Sequence, residues 1–358
     1  MFLDKDFLLT NEFGKKLFHD YSQKMPIIDY HNHLDPKVIY ENKNFEDLTQ
    51  AWLYDNGAGD HYKWRLLRTE GFDESLITGD APSYEKYLAF VKTLKKAMGN
   101  PIFEWSHLEL RRYFGIEEVL TEENAKEIWD KANALLQTDD FKPRALLKRM
   151  NITAMCTTDD PIDDLNYHKL IKEEGIGFKV LPTFRPDFVF DIEGNAFVEY
   201  LEKLTNLTRY EVSDFSNLEK ALDARVAYFH EVGGRLSDHG LNTFHYISTS
   251  QEEANRIMQK RLQGTSLTRE EVLKYQSALQ IALMKIYVKH GWAMQLHMNA
   301  LRNDSAKSFK EVGINAGFDS MGDQTGLASE FVKCFSDAEL ENAVPKTVVY
   351  SLNENDYL

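Results

Sequence analysis

Short apolar runs alternate with longer stretches of helical periodicity along this chain. The runs are Pro26–Asp29, Ile152–Thr157, Gly177–Thr183, Gly234–Asp238, Trp292–His297 and Thr347–Leu352. Several are nearly continuously apolar, the pattern of parallel strands covered on both faces. Between them lie segments with apolar positions at helical spacing. Val272, Tyr275, Leu279, Leu283 and Ile286 form one such stripe, and Thr268 with Glu271 predicts a capping box at its start. Ser83 is expected to cap a helix over Tyr84–Met98, with Gly99 just past its end. This alternation predicts an α/β fold with a parallel sheet. Residues 40–150, in round terms, carry helical pattern with little strand signal and read as a helical insertion after the first strand. No repeat, low-complexity tract or Ser/Gly linker divides the chain, so residues 1–358 read as a single barrel-type domain.

Polar residues follow the strands. Thr157-Thr-Asp159-Asp160-Pro161 follows the second run and Thr183-Phe-Arg185-Pro-Asp187 the third. Ser237-Asp238-His239-Gly240, Gln295-Leu-His297-Met-Asn299 and Ser351-Leu-Asn353 close the next three. A (β/α)8 barrel of the TIM type builds its active site from such strand ends, whereas Asp and Asn alone would also cap the following helices. The first run ends in Asp29-Tyr-His31-Asn-His33. Side chains two apart on a strand share a face, so His31 and His33 can aim two imidazoles at one divalent metal. Arg185 offers a guanidinium fork for a carboxylate or phosphate, or pairs with Asp187. His297 shares a face with Gln295. Asp238 and His239 face opposite ways, and Asp238 is the one expected inside. Asp60-His61-Tyr62 opens the insertion with two proton-transfer groups side by side.

Composition narrows the chemistry. A net charge of −15 argues against a nucleic-acid or anionic-membrane surface, while 43% hydrophobic residues supply a sizeable core. Cys156 and Cys334 imply no disulfide framework. Asp4, Lys5 and Asp6 interrupt the N-terminus before a signal peptide could form, and no apolar stretch approaches the ~20 residues of a membrane span. The expected compartment is the cytoplasm. Phosphate-binding glycine loops and a GxSxG elbow are both absent from the sequence.

The motifs resemble those of uronate (glucuronate) isomerase, in the amidohydrolase superfamily of metal-dependent barrels. They are DYHNHL at 29–34, DHYKWRLLR at 60–68, HLELRRYFGI at 107–116, CTTDDP at 156–161, LPTFRPD at 181–187, SDHGL at 237–241 and QLHMNALRND at 295–304. The resemblance implies interconversion of hexuronates with ketohexuronates. It makes His31 and His33 metal ligands for Zn2+ or Mn2+, His61, Tyr62 and His297 catalytic, and Arg185 and Asp238 substrate-binding. The partner implied is a small-molecule hexuronate, with a homo-oligomer left open. Six strand candidates fall short of a barrel's eight, and the family continues through two more βα units carrying a TDSR motif with a further metal-ligating aspartate. The chain is therefore expected to be C-terminally truncated. Two other readings stay open: a metal-dependent hydrolase such as a lactonase on the same barrel, and an inactive fragment.

Overall fold

The computed structural model describes residues 3–55 and 58–357. All six apolar runs form strands: β1 (Ile27–Asp29), β2 (Ile152–Cys156), β3 (Lys179–Leu181), β4 (Leu236–Leu241), β5 (Ala293–Met298) and β6 (Lys346–Ser351). They follow sequence order, as β1-β2-β3 in one sheet and β4-β5-β6 in another. The pairs β2–β3, β4–β5 and β5–β6 are parallel. Phe184 links the two sheets through parallel bridges to Asp159 and Ser237. Its amide donates to Leu236 O at 3.1 Å and its carbonyl accepts from the Asp238 amide at 2.9 Å. This order and sense establish an α/β fold with parallel sheets, as the alternation predicts.

The chain divides into two units. The first comprises residues 1–28, 41–153 and 302–319; the second comprises 29–40, 154–301 and 320–358. Each holds its own hydrophobic core. The first unit is mostly helical; its strand residues are the ends of β1 and β2 and a short antiparallel ladder pairing Tyr54 with Gly59. Its helices include α1 (His61–Thr69) and α2 (Ser83–Lys96), and its core gathers Leu48, Trp64, Leu67, Tyr87, Phe90 and Leu94. The expected Ser83 cap is not formed. Pro82 precedes the helix, Ser83 is its first residue, and the Ser83 carbonyl accepts from Thr49 Oγ1 instead.

In the second unit, α3 (Asn166–Glu174), α4 (Phe215–Val232) and α5 (Arg269–His290) carry much of the layer against the strands. Helix α5 starts at the predicted capping box, with Thr268 and Glu271 each bonding the other's main chain, and stops at Gly291 with φ +69°. Phe184 is wholly buried, edge-on to Phe229, Tyr287 and Trp292 at 5.2–6.4 Å.

The expectation of burial on both faces holds for β4 and β5 but fails for the outer strands. Ile27 and Ile28 are 46% and 66% exposed, and Val349 is 47% exposed. The reason is positional: among the described residues β1 pairs with β2 and β6 with β5, and no second strand flanks either. Among the described residues, no helix is long and apolar enough to cross a membrane.

Because Phe184 joins the sheets and fills the core, Phe184→Ala should cost about 3–5 kcal/mol, read as a fall in chemical-denaturation midpoint. A loss below about 1 kcal/mol would mean that the packing of the Phe184 ring is not structurally required.

Candidate functional site

Strand alternation decides which side chains meet at the ends of β3, β4 and β5. Phe184 points into the helical layer, and its neighbour Arg185 turns the other way. In β4 the fully buried His239 ring lies on the helical side, its Nε2 3.1 Å from the Tyr287 hydroxyl, while Asp238 faces opposite. In β5, Gln295 Oε1 accepts from the Tyr350 hydroxyl at 2.8 Å, and His297 stacks on the Tyr350 ring at 4.5 Å. The predicted shared face of Gln295 and His297 and the inward turn of Asp238 are both found.

Asp238 is the hub. Its Oδ2 accepts from Arg185 Nη1 at 3.1 Å and lies 4.0 Å from His31 Nδ1. Its Oδ1 lies 2.6 Å from His297 Nδ1, yet neither of those atoms has an aligned hydrogen bond. His31 Nδ1 is likewise buried without a hydrogen-bond partner. One donor atom from each of His31, Asp238 and His297 lies within 4.8 Å of the other two. Two imidazoles, a carboxylate and orphaned atoms turned toward one another are a donor set that fits a divalent metal.

The charge states agree with that fit. Burial pushes the Asp238 carboxyl up, but His297 and Arg185 outweigh it and hold the group below the usual carboxylate range. Burial lowers His31, and lowers His33 to about 4 with help from His31 and Arg185. Both imidazoles are therefore neutral near pH 7, with a lone pair to offer. The His33 ring stands 5.0 Å from that of His31 and perpendicular to it, outside the three-donor group. The strand ends at Asp29, so both histidines belong to the following loop, where the Asn32 amide donates to Cys156 O.

Arg185 also pairs with Asp187, Nε to Oδ2 at 2.8 Å, the ion pair that was one of the two readings raised by sequence. Burial opposes its charge, but Asp187 and Asp238 outweigh burial and keep the guanidinium protonated. Sequence reasoning missed Tyr350 and the bond from the Gly240 amide to Asp187 Oδ1. The available signal was the period-two pattern of β6, which puts Tyr350 opposite His297 in the ladder.

His61 and Tyr62 open α1 in the first unit. Asp60 caps that helix, accepting from the Tyr62 and Lys63 amides. The His61 ring stacks on Trp64 at 5.6 Å, and burial lowers its affinity for a proton. Tyr62 is 65% exposed. Residues 302–319 also belong to this unit, which their place after β5 does not suggest. Gly317, with φ +84°, lies so close that a Cβ there would stand 2.9 Å from His61 O. Arg65 donates to Gly317 and Asp319 carbonyls, Arg68 donates to Ala316 O, and Arg302 pairs with Asp319 at 2.6 Å.

A buried network stands beside the hub in the second unit. Thr157 Oγ1 lies 2.7 Å from both Asp159 Oδ2 and His168 Nε2. Together with His33, Asp35 and Asp163, Asp159 and His168 line a cavity of about 420 Å³. Burial lifts Asp159 to about 7 and lowers His168 to about 4.

Parallel strands that gather imidazoles, a carboxylate and an arginine at one buried polar centre are the features of an α/β enzyme with a candidate metal-binding site. The chain belongs to the glucuronate isomerase family, whose model matches residues 1–358. It is 50% identical over 357 residues to the uronate isomerase of Lactococcus lactis subsp. cremoris, covering 100% of this chain and 75% of that relative. The Bacillus subtilis uronate isomerase is 46% identical, with 99% of this chain and 74% of the relative covered. Among solved structures, uronate isomerase from Thermotoga maritima superposes with a TM-score of 0.91 at 34% identity, covering 99% of this chain and 76% of that one. Glucuronate isomerase from Caulobacter crescentus gives 0.84 at 26% identity, covering 94% and 70%.

The opposed shifts of Asp159 and His168 predict a pH signature. Folded Asp159 binds a proton more tightly than the unfolded chain does, so its contribution is lost as pH rises through about 7. His168 does the opposite: its contribution is lost as pH falls from about 6.5 toward 4. Asp159→Asn removes only the first effect. The Tm deficit of this variant against the parent should shrink between pH 5 and pH 8; a deficit constant with pH would refute the raised Asp159.

Proposed function

We propose that this chain interconverts hexuronates with ketohexuronates, D-glucuronate with D-fructuronate and D-galacturonate with D-tagaturonate. Membership of the glucuronate isomerase family carries this reading, and the buried centre around Asp238 supplies chemistry to match. The reaction removes the C2 proton while O1 gains one, giving a C1=C2 enediol. The O2 proton then leaves as C1 is protonated, which yields the ketose. Such chemistry needs a held substrate, a base near C2 and a donor near O1.

Arg185 receives the C6 carboxylate. Nε and one Nη1 hydrogen serve Asp187 and Asp238, which leaves three of the five guanidinium donors for a ligand. His31, Asp238 and His297 would hold a divalent metal, Zn2+ or Mn2+; His33, a ligand by the family resemblance, has its ring 5.0 Å from that of His31. When bound, such an ion polarises and orients substrate oxygens as a Lewis acid. By the family resemblance His61 and Tyr62 are assigned to proton transfer, while His297, stacked on Tyr350, enters the metal's donor set. Parallel strands in sequence order support a (β/α)8-type barrel, with the helical unit an elaboration of one barrel domain.

The test is ketose formation from D-glucuronate by the 358-residue chain, with zinc or manganese and with a chelator. Metal-dependent ketose formation is expected. A folded sample that opens a sugar lactone and makes no ketose would replace the isomerase by the hydrolase reading. His31→Ala and Asp238→Asn should each lower bound metal, counted by elemental analysis, along with activity; unchanged stoichiometry would remove that residue from the ligand set. Arg185→Met should weaken uronate binding about tenfold or more, as expected for a lost charged hydrogen bond, and leave neutral aldoses nearly untouched.

A further inference from the structure

The guanidinium of Arg185 is held from behind by groups that no ligand needs to touch. Asp187 Oδ2 takes Arg185 Nε at 2.8 Å, and the other oxygen of the same carboxylate accepts the Gly240 amide at 3.1 Å. Asp187 thus ties an arginine that follows β3 to the main chain of β4. Gly240 completes the seat by lacking a side chain. A Cβ there would stand 2.3 Å from Arg185 Nη2, closer than real Cβ atoms approach, and 3.0 Å from Asp187 Oδ2, a tight contact, so the guanidinium would have to shift. The guanidinium plane is therefore fixed on three sides: Asp187 at Nε, Asp238 at Nη1 and the Gly240 backbone against Nη2.

We propose that Asp187 and Gly240 are positioning residues that set the selectivity of this site for sugar acids. They do so by presenting the spare Nη donors of Arg185 in one orientation. The proposal rests on the reading of Arg185 as the carboxylate clamp. Its physical content is preorganisation. A free arginine spreads over many rotamers and must lose that freedom on binding, whereas a pinned fork has already lost it. The same tether explains the acidic partner. An arginine braced through Nε keeps its outer edge for a second carboxylate, and the planar fork allows both at once. Neutral sugars have no charge for that edge to meet, so they gain little from the bracing.

The experiment measures inhibition constants of galactarate, a hexaric acid, and galactitol, its neutral polyol, on the metal-loaded chain. Asp187→Ala, Asp187→Asn, Gly240→Ala and Arg185→Met are compared with the parent. Asp187→Ala should raise the galactarate constant about tenfold, the size of one lost charged hydrogen bond, and leave galactitol within about twofold. Asp187→Asn, whose single acceptor oxygen serves either Arg185 or Gly240 but not both, should fall between. In the Arg185→Met background Asp187→Ala should add almost nothing, because the two act through one group. Equal weakening of both ligands, or full additivity with Arg185→Met, would overturn the positioning role. Should Arg185→Met itself leave the acid-over-polyol preference intact, the clamp reading falls, and the positioning proposal falls with it. A galactarate loss in Arg185→Met without one in Asp187→Ala or Gly240→Ala would keep the clamp and reject its bracing. Gly240→Ala tests the seat without removing any charge, so agreement with Asp187→Ala excludes a net-charge effect.

Discussion

A carboxylate with no access to solvent has to be compensated, and Asp238 is such a group. Much of the geometry of the second unit follows from that need. Arg185 supplies the countercharge at Oδ2, His297 crowds Oδ1, and His31 stands 4.0 Å away. Arg185 in turn engages Asp187, and Asp187 engages the Gly240 amide on the strand that carries Asp238 itself. The circuit closes within β4. Each link is short because the Phe184 bridge holds the ends of β3 and β4 in register.

Charge arithmetic at this centre has a consequence for ligands. One arginine faces two carboxylates, and burial keeps His31 and His33 neutral near pH 7. Imidazole nitrogens of His31 and His297 and a carboxylate oxygen of Asp238 are left without hydrogen bonds there. A divalent cation would answer those unpaired donors. Arg185 and His297 oppose protonation of Asp238 in its place.

Strand positions and helix α5 were legible in sequence because periodicity and caps are local. Thr268 and Glu271 bond each other across three residues, and no distant contact changes that. That Asp238 and His239 face opposite ways was legible for a similar reason, since alternation is a property of the strand alone. Ser83 misled because a cap requires an extended residue before the helix, and Pro82 already occupies that place. The exposed Ile27 and Ile28 were not foreseeable from a hydrophobic pattern, which does not say how many neighbours a strand has. Least legible were contacts between distant segments: the joining of residues 302–319 to the helical unit, and the Gly240 seat under Arg185. Nothing in a single glycine's neighbours along the chain announces that an arginine 55 positions away needs its missing Cβ.

The same circuit weighs on the choice between isomerase and hydrolase. Hydrolysis at a metal centre needs a carboxylate or imidazole that takes a proton from water, and a good base has a pKa near the working pH. Asp238 is held below the ordinary carboxylate range, and its Oδ2 is committed to Arg185. It is a poor base but a good fixed anion. Asp159, lifted to about 7, has the better pKa, yet its Oδ2 is spent on Thr157 and the Thr183 amide and the group is buried. What the centre offers in its place is orientation: an anchored guanidinium, a stacked His297 and a fixed charge. Moving one proton between adjacent carbons of a held sugar acid draws on those together with a proton-transfer group beside C2, and needs no water as reactant.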